Sequence, residues 1–72
     1  MTAKEIRANL NRRVRYRSEK ASFEADYLFT GVIIRKRAKG FKYEAELQDL
    51  NNSKWILICN LEDIEAIPES GA

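Results

Sequence analysis

Residues 41–48 read Phe-Lys-Tyr-Glu-Ala-Glu-Leu-Gln, with apolar and polar side chains in strict alternation. A period of two means a strand with one face on a core and the other in water. Phe41, Tyr43, Ala45 and Leu47 are therefore expected inward, and Lys42, Glu44, Glu46 and Gln48 outward. The same period recurs at Arg13-Val14-Arg15-Tyr16-Arg17, where Val14 and Tyr16 take the core face and three arginines the other. Two half-buried strands in a chain of 72 residues predict one small, mainly β domain with a thin core.

The remaining elements fit around these strands. Asp26 to Arg37 is the longest run of strand-forming residues, interrupted only by Gly31, which predicts a bulge or bend there. Ala38-Lys39-Gly40 predicts a tight hairpin with Gly40 at positive φ. Asn51-Asn52-Ser53 reads as a turn, Lys54 to Asn60 as the next strand, Leu61 to Ile64 as a single helical turn, and Glu65 to Ile67 as a closing strand ended by Pro68. Ser18 to Glu24 is a polar loop anchored by Phe23. At the front, Thr2-Ala3-Lys4-Glu5 is a capping box, followed by an apolar stripe at Ala3, Ile6 and Leu10. A helix of about two turns is marginal alone in water, so it must dock that stripe.

Five consecutive strands with short connections predict an antiparallel sheet. A sheet this small loses its open edges most economically by curling into a barrel. The expectation is a single domain over residues 1–72, with 2–10 an N-terminal helix, 12–68 a five-stranded antiparallel barrel and 69–72 a frayed tail. This order resembles the SH3-like barrels, with their long first loop, tight middle hairpins, single turn and closing strand. It is also similar to the Sm-like barrels, which place a helix ahead of five strands. In that resemblance Thr2 to Leu10 is the helix, Leu28 to Ile33 the bent second strand and Leu61 to Ile67 the closing segment. The likeness implies a small-barrel fold. It carries no ligand with it, because one fold hosts many functions.

Several functions lack their residues. The chain has no histidine, and hence neither the commonest general base nor the commonest metal ligand. Cys59, the single cysteine, has no such base to activate it and alternates with Trp55 and Leu57, as a buried structural thiol does. No phosphate-cradling glycine spacing occurs around Gly31 or Gly40. The expectation is a non-enzymatic protein without cofactor, metal or small-molecule substrate. The apolar runs are too short to cross a bilayer as helices, and one cysteine gives no sign of an oxidising compartment, so a cytoplasmic location is expected.

Charge is the most informative functional feature. Residues 1–42 carry 12 of the 13 Lys and Arg against four acids, a balance of +8, and the rest of the chain balances at −6. Such asymmetry points to an anionic partner, or to two halves that neutralise each other across adjacent strands with Glu44, Glu46 and Asp49 as partners. The candidate contacts for nucleic acid are Arg12, Arg13, Arg15 and Arg17 in one group and Arg35, Lys36, Arg37, Lys39 and Lys42 in another. Arginine forks suit phosphate oxygens, and no base-reading motif accompanies them, so binding without sequence preference is expected. Tyr27 and Phe41, near strand ends, are the candidate aromatic contacts, while most of the seven aromatic side chains are expected to fill the core. The alternative function is a protein-interaction module that uses an exposed strand edge or an aromatic groove.

Overall fold

A computed structural model describes residues 1–67; Pro68 and the 69–72 tail lie outside the described residues. Helix α1 (Ala3–Asn9) precedes strands β1 (Arg13–Ser18), β2 (Phe23–Arg37), β3 (Gly40–Gln48) and β4 (Ile56–Asn60), a 3-10 turn at Leu61–Asp63, and β5 (Ile64–Ala66). The capping box forms in full. Thr2 Oγ1 accepts from the Glu5 N–H at 3.2 Å, and Glu5 Oε1 accepts from the Thr2 N–H at 3.0 Å. The stripe then docks as expected: Ile6 and Leu10, with Met1, pack against the buried core. Asn11, at φ 65°, turns the chain into β1, a conformation asparagine tolerates better than most residues.

The strands form one antiparallel sheet in the order β4-β3-β2-β1-β5. Its two edges, β4 and β5, are joined by no ladder, so in hydrogen bonding the sheet stays open, short of the barrel closure anticipated from the element order. The physical reason is length. β5 has three residues, and all three are engaged by β1. Only the three residues Leu61–Asp63 connect β4 to β5. Leu61 and Ile64, at this connection, are buried in the core.

The core is small: Val14, Phe29, Ala45, Leu47, Cys59, Leu61 and Ile64. Leu57 is half-buried beside them. Most aromatic rings lie outside this core, contrary to expectation. Only Phe29 is fully buried; Tyr16 and Tyr27 are half-buried, and Phe23, Phe41, Tyr43 and Trp55 are exposed. Phe41 and Tyr43 stand on the exposed far part of the β2–β3 hairpin, Phe23 at the first residue of β2, and Trp55 just before β4. The molecule measures 43 × 27 × 24 Å.

The expected irregularity at Gly31 is present: the β2–β3 register slips between Phe29 and Gly31, leaving Thr30 as the extra residue. Thr30 pins the bulge, with its hydroxyl donating to Glu46 Oε1 at 2.8 Å. A Cβ at Gly31 would meet only that carboxylate, at 3.9 Å, so the bulge does not require glycine there. Gly40 differs, since it holds φ at +129° directly after the Ala38-Lys39 turn. Gly40→Ala is therefore expected to cost about 1 kcal/mol in urea denaturation. Gly31→Ala should be neutral or slightly stabilising. Equal losses at both sites would show that Gly31 has a role beyond the bulge.

Candidate nucleic-acid interface

The β-pleat and the bulge together sort the cations. Arg13, Arg15 and Arg17 project from the outer face of β1, and their neighbours across the ladder are Leu28, Asp26 and Glu24. Arg15 Nε lies 3.1 Å from Asp26 Oδ1 and 3.3 Å from Glu24. Arg17 reaches Glu24 at 3.2 Å and Glu65 at 3.5 Å. Two arginines thus face three carboxylates, and this group is close to neutral. Arg13 is exposed on the same face. Arg12 sits in the turn before β1, where its carbonyl accepts from the Phe29 N–H at 2.9 Å.

The second group has a different setting. Residues 34–43, the distal end of the β2–β3 hairpin, are all exposed. They carry Arg35, Lys36, Arg37, Lys39 and Lys42 and no acid. Glu44, at the root, forms a short ion pair with Arg35 and lies 4.0 Å from Lys42. The Arg35 hydrogen bond first, then the nearby charges of Arg35, Lys42 and Arg37, holds the Glu44 carboxyl below its ordinary range. Lys36, Arg37 and Lys39 have no ion-pair partner among the described residues.

The pairing also gives this ribbon two unlike faces. Register places Arg35 opposite Lys42 on one face, together with Arg37. The other face carries Ile34 opposite Tyr43 and Lys36 opposite Phe41. Phe41 and Tyr43 are 61% and 50% exposed, and two residues apart on one strand they stand about 7 Å from each other. They occupy the core-facing register of β3, as the alternation predicts, but there they border an open hollow with Met1, Asn60, Leu61 and Glu62. Tyr27 lies elsewhere, edge-to-face with Tyr16 at a centroid distance of 6.2 Å.

The two basic groups do not merge into one patch. Arg13 is level with Leu28, and Arg35 lies seven residues further along β2, about 23 Å away. The anticipated partners also change. Glu44 is the only one of the three expected acids that neutralises a cation; Glu46 holds Thr30, and Asp49 Oδ1 caps the following turn by accepting from the N–H groups of Asn51 and Asn52. Glu24 and Asp26, the acids that neutralise β1, alternate with Phe23, Ala25 and Tyr27 in sequence, a pattern that could have revealed β2 starting three residues earlier.

Among the described residues no group of three or more Cys, Asp and Glu side chains could hold a metal ion. Cys59 is buried. Burial first, then the charges of Asp63 and Glu44, pushes its thiol up to about 11. The thiolate is the reactive form, so iodoacetamide at neutral pH should label Cys59 slowly in the native protein and readily after denaturation. Rapid native labelling would identify an accessible thiol. Because the folded pKa lies above the ordinary 9.0, the associated stability is complete below pH 9 and is lost as pH rises toward 11. In comparisons with family models, curated proteins and solved structures, the chain gives no match.

Proposed function

We propose that this domain is a non-catalytic nucleic-acid-binding module whose contact element is the distal β2–β3 ribbon, residues 34–43. The carrying observation is the concentration of five cations on that exposed ribbon, with Glu44 as the one carboxylate that pairs with them among the described residues. Phosphate affinity comes from displacing condensed counterions, which requires cations not already neutralised by the protein. Lys36, Arg37 and Lys39 meet that requirement, and Arg15 and Arg17 do not. Phe41 and Tyr43, exposed on the opposite face of the ribbon, add a surface on which unpaired bases can stack. Among the described residues no helix is long enough to enter a groove, since α1 has seven residues and is docked on the core. The fold that carries the ribbon reads best as a small barrel of the SH3-like and Sm-like kind, left unzipped between β4 and β5.

The test is a titration of short single- and double-stranded oligonucleotides at two salt concentrations. Binding that is indifferent to sequence and weakens steeply with salt supports the proposal. Absence of binding at low salt, where non-specific attraction is strongest, overturns it.

A further inference from the structure

The sheet ends at β4 in an edge without the usual protection. Ile56-Leu57-Ile58-Cys59-Asn60 contains no charge and no proline, the features that commonly stop an edge strand from pairing with another chain. Leu57 and Cys59 face the core, while Ile56 and Ile58 point outward at 50% and 38% exposure, beside an exposed Trp55. The opposite edge is guarded: β5 is three residues long, and its Glu65 is tied to Arg17.

The backbone of β4 is equally open. The Asp49 N–H donates to the Trp55 carbonyl at 2.9 Å, so Trp55, Leu57 and Cys59 direct their backbone groups toward β3. By the alternation of an antiparallel ladder, Ile56, Ile58 and Asn60 then present N–H and C=O groups to the free edge. The ends of the strand carry opposite charges. Lys54 precedes it and Glu62 follows it, both are exposed, and neither has an ion-pair partner among the described residues.

We propose that β4 pairs antiparallel with β4 of a second copy of this chain, about a two-fold axis at Ile58. In this register Ile58 opposes Ile58 of the partner subunit, and Ile56 opposes Asn60 of the partner subunit. Lys54, in the turn before β4, then lies at the same end of the ladder as Glu62 of the partner subunit, in the 3-10 turn, and the arrangement repeats on the other side of the axis. Antiparallel pairing matches opposite charges at both ends of the ladder; parallel pairing would set Lys54 beside its own copy. This self-complementarity selects a second copy as the occupant. The five-residue ladder is shorter than the roughly 800 Å² per partner of a standard stable interface would need, so the dimer is reversible and concentration-dependent. β4 pairs with Glu44–Gln48, so residues 35–40 at the ribbon tip lie beyond that ladder, whereas Phe41, Lys42 and Tyr43 border Asn60 and Glu62 at its end.

The experiment is sedimentation velocity on the full chain over a concentration series, without nucleic acid. The expected result is a monomer–dimer equilibrium. Ile58→Lys, at an outward position that leaves the core intact, should weaken association at least about tenfold, or about 1.4 kcal/mol. Lys54→Glu and Glu62→Lys should each weaken it as well, and the double reversal should restore it, which a nonspecific apolar contact would not do. A chain that stays monomeric at every concentration overturns the proposal. A dimer indifferent to Ile58→Lys and to the charge reversals overturns it too.

Discussion

Replacing Arg35, Lys36, Arg37, Lys39 and Lys42 together with glutamine is expected to abolish oligonucleotide binding and its salt dependence while leaving the fold intact. With all five cations on duplex phosphates, the wild-type log–log slope would be about −4.5, a loss of about 500-fold between about 50 and 200 mM salt. On single strands the same contacts give a slope of about −3.5. Each contacting cation removed should flatten the slope by about one. Arg13, Arg15 and Arg17 replaced together with alanine form the control. Arg15 and Arg17 already face Glu24, Asp26 and Glu65, so this variant should bind nearly as the wild type does. Its stability should also change little, since exposed ion pairs contribute little. Phe41→Ala separates stacking from phosphate contact. It should weaken single-strand binding by about 1–3 kcal/mol and leave duplex binding unaltered. If the β1 variant loses binding and the ribbon variant keeps it, the interface has been placed on the wrong element.

Phe29→Ala should be the most damaging single core substitution. The ring is fully buried and lies opposite Leu47, so its removal leaves a cavity in a core of only seven residues. Losses of about 3–5 kcal/mol are typical of such a change. Small domains sit near the lower end of the usual ~5–15 kcal/mol of total stability, so much of the variant should be unfolded at room temperature. Tyr43→Ala removes a similar ring from the same face of the sheet, but at an exposed position. It should shift stability by no more than about 0.5 kcal/mol. Urea denaturation of both variants reads the contrast. Comparable losses from the two would mean that the ribbon is packed against something in solution.

That pair of residues also marks how far the sequence could be read. Phe41, Tyr43, Ala45 and Leu47 share one strand face, and the alternation says so without ambiguity. It does not say where along the strand the core ends. Ala45 and Leu47 are buried, and Phe41 and Tyr43 are not, because at their level Met1, Asn60, Leu61 and Glu62 leave an open hollow in place of a packed layer. Trp55 misleads in the same way: it continues the alternation of Leu57 and Cys59 but precedes β4 and stands in water. Hydrophobic pattern encodes direction, and burial depends on what lies opposite.

The candidate site divides along the same line. That the basic residues cluster in two stretches is a fact of sequence. Which stretch is already neutralised depends on strand register, because the acids that meet Arg15 and Arg17 come from β2 and β5, up to 48 positions away in the chain.

The amino-acid order by itself determined the helix cap, the two alternating strands, the bulge near Gly31, the positive φ at Gly40 and the antiparallel sequence of elements. Each of these is set by contacts or backbone preferences within a few residues, or by a period of two. Tertiary structure alone decided that the sheet stays open between β4 and β5, that the β2–β3 ribbon extends beyond the core, and that the cations at its tip keep their charge uncompensated. Those outcomes depend on lengths and registers matched between distant strands, and a periodic pattern carries no information about its own partner.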